Sequence, residues 1–211
     1  MKKVCLLNLG HSNIKSVRGA FEEIDVETTV VEKIDSVEIN APLVLPGVGA
    51  FGGAMQRLTF GDTSYYLNEA YKKGHPILGI CLGMQVMFEG SEEDFKIDGL
   101  SFLPGHVRNL NQNIEKFSLP SNIGYSRLYA SKAQDLGQYA KFDGENFYFM
   151  HSFGLVDDKL PTDQKLYTNF NDQEVLAMFH HQNLVGIQFH PERSGEPGLE
   201  LLSSIVEEFN A

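Results

Sequence analysis

The stretch Gly79-Ile80-Cys81-Leu82-Gly83-Met84-Gln85 carries residue types suited to covalent chemistry. A breaker and a short apolar run precede it, Gly74-His75-Pro76-Ile77-Leu78, and the helix-friendly Val86-Met87-Phe88-Glu89 follows. Strand, sharp turn and helix, with Gly-x-Cys-x-Gly at the turn, form the pattern of a nucleophile elbow in which cysteine replaces serine. The glycines have a physical task. The nucleophile's backbone is strained at such a turn, and flanking side chains would strike the adjoining strand and helix. A cysteine ahead of a helix also meets orphan N–H groups and the positive end of the helix dipole, which favour a thiolate. The plain alternative is a packed cysteine on a strand-to-helix turn, since free cysteines usually behave as small hydrophobes.

A second constellation lies far downstream. Val185-Gly186-Ile187-Gln188-Phe189-His190-Pro191-Glu192 is an apolar strand ending in His-Pro-Glu. Pro191 restricts His190 to extended backbone, and the two-residue period of a strand predicts that His190 and Glu192 point the same way. A thiol nucleophile needs a base, and the base needs an orienting carboxylate. Cys81, His190 and Glu192 supply those three types, with the acid close behind the histidine, unlike the hydrolase order. His-Pro-Glu alone fits a surface turn equally well. The two constellations together are far more specific than either.

The elements that position these residues follow from hydrophobic patterning. Val4 to Leu9 reads as a first strand buried on both faces, as in a parallel sheet, with Cys5 in the core. Ser12 or Asn13 is placed to cap a helix over Ile14, Val17, Phe21 and Ile24. Glu27 to Val31 and Pro42 to Leu45 are predicted strands, and Asp62 is predicted to cap a helix running to about Lys73. Alternating strands and helices with short connections indicate an α/β fold with a mostly parallel central sheet flanked by helices. The C-terminal half has a different texture. Leu166 to Phe170, Val175 to Phe179 and Leu184 to Phe189 read as strands, with turns at Gly144-Glu145-Asn146 and Asn171-Asp172, so antiparallel β ribbons are expected there. A last helix starts at Pro197 and packs a stripe of Leu199, Leu202, Ile205, Val206 and Phe209.

The 211 residues, 42% hydrophobic, suffice for one domain over 1–211 with a sizeable core. A net charge of −11 disfavours a nucleic-acid partner and lends no support to binding an anionic membrane. Two cysteines, Cys5 and Cys81, make no disulfide framework and no metal-ligand spacing, so a reducing compartment and no metal are expected. Met1-Lys2-Lys3 and the short run behind it are too brief for a signal peptide, and no apolar run approaches the roughly 18 residues of a membrane helix. A soluble, cytoplasmic protein is expected. His11, His75, His106, His180 and His181 read as structural or surface residues.

The combination of Gly-x-Cys-x-Gly-x-Gln with Gln-Phe-His-Pro-Glu resembles the class I (triad) glutamine amidotransferases. The resemblance implies that Cys81 attacks the side-chain amide of L-glutamine, that His190 shuttles the proton, that Glu192 orients His190, and that Gln85 helps hold the substrate. Within the family, Leu45-Pro46-Gly47-Val48-Gly49-Ala50-Phe51 is similar to the oxyanion-strand motif of the amidotransferase subunits of imidazole glycerol phosphate synthase. Tyr148-Phe149-Met150-His151-Ser152-Phe153, Pro191-Glu192-Arg193-Ser194, Gly198-Leu199, and Asn13 with Ser16 extend the likeness over the whole chain. It implies oxyanion donors from Leu82 and the loop of Gly47, Val48 and Gly49. It also implies that the main chain at His151, Ser152 and Phe153 fixes the substrate's amino-acid end. No cofactor is implied, and the partner would be a (β/α)8-barrel cyclase subunit, held as a heterodimer and receiving ammonia for histidine biosynthesis.

Two stretches depart from the pattern: Leu9-Gly10-His11-Ser12-Asn13 where the family has Tyr-Gly-x-Gly-Asn, and Pro120-Ser121-Asn122-Ile123-Gly124-Tyr125 where it has Pro-His-Met-Gly-Trp. Both lie away from the triad and bear on the partner-facing side. Two further readings stay open at this point: a paralogous subunit supplying ammonia for amidination of a surface-polysaccharide sugar, and a stand-alone cysteine hydrolase.

Overall fold

Short β-branched and leucine-rich runs form the strands, and each helix lays an apolar stripe on them. The computed structural model describes residues 2–10, 13–35, 40–111, 121–130, 135–156, 159–162 and 164–210. His11, Ser12 and Pro120, named above, lie outside the described residues. In chain order the elements are β1 Lys3–Leu7, α1 Ile14–Glu23, β2 Glu27–Val31, β3 Leu43–Gly47, α2 Phe51–Thr59, α3 Thr63–Lys72, β4 Ile77–Cys81 and α4 Leu82–Gln85. The second half holds β5 Gly90–Ser91, β6 His106–Asn109, β7 Asn122–Arg127, β8 Asn146–His151, β9 Phe153–Gly154, β10 Lys165–Phe170, β11 Gln173–His181, β12 Leu184–Ile187 and α5 Glu196–Phe209. Short 3-10 turns cover Gly137–Phe142 and Pro191–Arg193.

The central sheet has seven strands in the order β10-β11-β12-β4-β3-β1-β2. From β12 to β2 every pairing is parallel, whereas β10, β11 and β12 pair antiparallel. The α/β reading with added antiparallel ribbons therefore describes this chain. A separate antiparallel ribbon, β7 with β8, and a small β5-β6-β9 sheet complete it. Side-chain alternation splits the core in two. Leu7, Leu43, Leu45, Ile77 and Leu184 face Phe51, Leu58 and Leu67 of α2 and α3. Leu6, Val44, Leu78, Ile80, Val185 and Ile187 face Val17 and Phe21 of α1 and Leu202 and Ile205 of α5.

Several boundaries differ from the sequence reading. The first strand ends at Leu7, two residues early, and the last parallel strand ends at Ile187. The helix α2 was not foreseen, because Gly52-Gly53 masks its buried stripe of Phe51, Ala54, Met55 and Leu58. The helix after Cys81 stops at Gln85 although Val86 to Glu89 favour helix. The carbonyls of Val86, Met87 and Phe88 instead accept from Leu100, Phe102 and Ser101, so the loop over the helix end takes the acceptors that further turns would use. Asp62 occupies the cap position of α3 without a side-chain capping bond. In α5, Leu201 joins the expected stripe.

The approach of α4 to β3 is the tightest in the fold's centre. A Cβ on Gly83 would lie 1.6 Å from the carbonyl oxygen of Leu45, and one on Gly79 would lie 2.6 Å from that of Gly83. These neighbours are backbone and cannot swing aside. Gly83→Ala should destabilise the fold by about 3 kcal/mol or more in urea unfolding, at the upper end of overpacking effects. Gly53→Ala, exposed within α2 and with nothing within 4 Å of its Cβ position, should stabilise it by roughly 0.5–1 kcal/mol.

Candidate functional site

Three neighbouring parallel strands deliver their carboxyl ends to one place. β4 ends in Cys81, β3 places Gly47 opposite Cys81 and runs into Val48 and Gly49, and β12 places Ile187 opposite Ile80 and runs on to Gln188–Glu192. Ligands bind characteristically at this end of open α/β sheets. Cys81 takes φ 53° and ψ −108°, a conformation that a residue with a Cβ rarely adopts. Such strain costs on the order of 1–3 kcal/mol and persists only where the surroundings over-determine it. Here the two glycines that let α4 fold back onto the strands are that surrounding.

His190 and Glu192 stand behind Cys81, both side chains wholly buried. His190 Nδ1 donates to Glu192 Oε1 at 2.7 Å, and the Asn13 amide donates to the same oxygen. His190 is extended as Pro191 predicts. Glu192 comes round by a 3-10 turn rather than by strand alternation, with Arg193 N–H donating to the His190 carbonyl. The two side chains meet through this turn and not through the pleat of a strand. Burial alone would lower the His190 pKa. The Cys81 sulfur beside it and the Glu192 carboxylate outweigh burial and hold it above the usual imidazole range. Nε2 is buried without a hydrogen-bond partner among the described residues.

In front of Cys81 opens a cavity of about 220 Å³, lined by Val48, Gly49, Leu82, Gln85, His151, Ser152 and Phe153, with Glu93 and Met150. It falls below the roughly 300 Å³ at which drug-sized pockets begin, the scale of one small metabolite. Gly47 does not line it. It packs on the elbow instead, where a Cβ would lie 3.1 Å from Leu82 Cβ. A larger cleft of about 510 Å³ adjoins this cavity and shares Val48 and Leu82 with it. Among the described residues no cluster of three or more His, Cys, Asp or Glu could hold a metal ion, and no helix is long and apolar enough to cross a membrane.

Four residues escaped the sequence reading as parts of this site. Asn13, with Ser12 one of the two residues expected to cap α1, makes no side-chain cap bond and donates to Glu192 instead. Gln188 donates to Cys81 Sγ at 3.5 Å. Glu93 lines the cavity and accepts from the Phe51 N–H at the start of α2, at 2.8 Å. Buried Ser194 donates to the His190 carbonyl at 2.7 Å and accepts from Tyr148 N–H at 3.0 Å, while His190 N–H donates to the Tyr148 carbonyl. The hydroxyl thereby ties the histidine's backbone to the ribbon that carries 151–153. Gln188 and Ser194 stood inside quoted motifs, whereas nothing in the sequence around Glu93 marks it.

The His151 ring is a structural pin. Nδ1–H donates to the Phe153 carbonyl at 2.8 Å, and Nε2 accepts from the Asn122 amide at 3.1 Å. Burial lowers its pKa to about 4. The unfolded chain therefore binds the extra proton between about pH 6.5 and 4, and the folded chain does not. The stability that the neutral ring contributes is complete above that window. It is lost as pH falls through it, about 3 kcal/mol by pH 4. Urea unfolding of the parent and of His151→Asn should show the gap between them shrinking by about that amount from pH 7 to pH 4.

A sequence model of the family described as "Glutamine amidotransferase class-I" matches residues 5–208. "Imidazole glycerol phosphate synthase subunit HisH" of Lactococcus lactis subsp. lactis (strain IL1403) is 36% identical over 99% of this chain and 100% of its own length. The HisH subunit of Prochlorococcus marinus (strain MIT 9211) is 37% identical over 94% of this chain and 91% of its own. Among solved structures, PurLQS from Thermotoga maritima has a chain that superposes with a TM-score of 0.66 at 18% identity, covering 98% of both chains, a likeness of fold. The chain belongs to the class-I glutamine amidotransferases, with HisH subunits as relatives along essentially its full length.

Proposed function

We infer that this chain is the glutaminase subunit of an imidazole glycerol phosphate synthase. It hydrolyses L-glutamine to glutamate and ammonia for a cyclase partner in histidine biosynthesis. One observation carries the chemistry: a strained cysteine at the floor of a small cavity, backed by a buried histidine–carboxylate pair. We propose Cys81, His190 and Glu192 as the catalytic residues, within a single glutaminase domain spanning 1–211.

The attacking species we propose is the Cys81 thiolate, beside a protonated His190. Cys81 sulfur attacks the glutamine carboxamide carbon, and the carbonyl π pair moves to oxygen. The Leu82 N–H, which as the first of α4 has no acceptor within the helix, meets that oxyanion together with an N–H of the Val48–Gly49 loop. Gly49, at φ 115°, lets this loop change its peptide orientation. His190 gives its Nε2 proton to nitrogen, the C–N bond breaks, and ammonia leaves behind a glutamyl thioester. Water then attacks as His190 takes its proton, the C–S bond breaks, and glutamate departs. Glu192 keeps the Nδ1 proton in place throughout.

The cavity sorts the substrate's other end. Gln85 spends its amide N–H groups on the Phe153 carbonyl and Gln188, and among the described residues its Oε1 has no protein partner. With Glu93 it offers oxygen to the α-ammonium, while the main chain at Ser152 and Phe153 receives the α-carboxylate. The relatives are named as subunits, which supports a partner. We propose a (β/α)8-barrel cyclase subunit that receives ammonia through a protected channel.

Cys81→Ala should abolish glutamate release, a loss of at least about 10⁴-fold, with the fold intact by circular dichroism. Mixing the parent with candidate barrel subunits should raise glutamate release, further so when the acceptor nucleotide is present. Retained glutaminase activity in Cys81→Ala, or full activity without any partner, would overturn the respective part of this reading.

A further inference from the structure

Gln188 stands outside the triad, yet it hydrogen-bonds the nucleophile itself. Its side chain is wholly buried at the end of β12, with Nε2 3.5 Å from Cys81 Sγ and Oε1 3.0 Å from Gln85 Nε2. A glutamine amide can stand either way round, and here its neighbours fix the orientation. The Phe153 carbonyl can only accept, so Gln85 presents its NH₂ there, at 2.9 Å. The second hydrogen of that NH₂ reaches Gln188, which must answer with oxygen. Gln188 then has only its NH₂ left to face the sulfur. The direction of every bond from Phe153 to Cys81 is set by one backbone carbonyl.

We propose that Gln188 is a catalytic residue that stabilises the Cys81 thiolate by donating Nε2–H to it, with Gln85 as the positioning residue that holds the donor in place. This rests on the reading of Cys81 as nucleophile and extends it. A buried thiolate keeps its charge only where donors replace lost hydration, and bonds to ionised groups are the strong ones. An amide suits the task because it brings no proton that could be transferred to the sulfur. It acts in both halves of the reaction. Before attack it favours the ionised nucleophile. When the second tetrahedral adduct collapses, the C–S bond breaks with its electron pair remaining on sulfur, where the same N–H meets it. The water proton is by then on His190, so the thiolate–imidazolium pair is restored, and the new carboxyl group loses its own proton to solvent. The chain Phe153–Gln85–Gln188–Cys81 also joins the wall proposed to bind the substrate's amino-acid end to the reacting atom.

The test is alkylation of Cys81 by iodoacetamide across pH, read by mass spectrometry of its peptide in the full chain. Gln188→Leu removes the donor. Gln188→Glu keeps an acceptor for Gln85 while turning an oxygen towards the sulfur. Both should slow alkylation at neutral pH by about tenfold and move the rate profile to higher pH by about one unit, the gap closing in alkali. In the unsubstituted protein, the NMR signals of the Gln188 side-chain amide should move with pH in step with the alkylation profile. Variants that alkylate like the parent would overturn the donor role and leave the nucleophile reading standing. Stationary amide signals would do the same even if the variants failed to fold. A parent Cys81 inert both to iodoacetamide and to a glutamine-mimicking electrophile would sink the nucleophile reading itself.

Discussion

Everything at the site depends on the hydrogen-bonded register of one strand between two parallel neighbours. β4 has β3 on one side and β12 on the other, and all three end at the same level. A slip of one residue turns every side chain of a strand to the opposite face, so the two cores guard this alignment. Leu78, Ile80, Val185 and Ile187 belong to one core, and Ile77 and Leu184 to the other. Gly186 lies opposite Gly79 and leaves room for the Phe179 ring, since a Cβ there would lie 2.1 Å from it. Apolar packing far from any chemistry thus decides that a sulfur and an imidazole meet.

The meeting is expensive for the native state. A buried ion pair loses hydration that Coulomb attraction repays only with good geometry and full hydrogen bonding. The site answers with neutral polar groups. Asn13 supports the carboxylate, Ser194 ties the histidine's carbonyl to Tyr148, and Gln188 faces the sulfur. None of these carries charge, so none competes for the proton that the reaction moves. They come from the start of α1, the turn before α5 and the end of β12, so helices on one face of the sheet support chemistry at the carboxyl ends of its central strands.

The parallel sheet was legible because its strands are near-continuous apolar runs separated by amphipathic segments, as at Val4–Leu7 and Ile77–Ile80. The elbow was legible because a glycine pair around a cysteine has few other physical uses, and Gly83 against Leu45 is that use. Less legible were features set by tertiary contact. The helix α2 hides behind two glycines, and α4 is cut short because N–H groups of the loop at Leu100–Phe102 take the carbonyls of Val86–Phe88. Glu93 reaches the cavity from a β5 loop with no motif around it. Asn13 looked like a cap because asparagine before an amphipathic run usually is one, and only the fold's closure brings Glu192 to its amide. Residue type and spacing report local physics well; which polar group a buried carboxylate will find is decided by the whole chain.

Two independent signatures converge on the same few residues. One is conformational: Cys81 holds a backbone angle that packing, not its own preference, imposes. The other is polar. Buried side-chain oxygen and nitrogen atoms in folded proteins are nearly always paired, so exceptions call for a cause. Among the described residues, the buried atoms without partners are Asn13 Oδ1, His190 Nε2 and Glu192 Oε2, with Asn111 Oδ1 and Thr168 Oγ1 elsewhere. Three of those five belong to a single hydrogen-bonded cluster behind the strained cysteine. A fold under selection for stability alone would relax the angle and pair the atoms. Natural proteins break local rules where function requires it and compensate through the remaining structure. Here the compensation is visible in the two cores that hold β3, β4 and β12 in register, and the broken rules sit where those strands end.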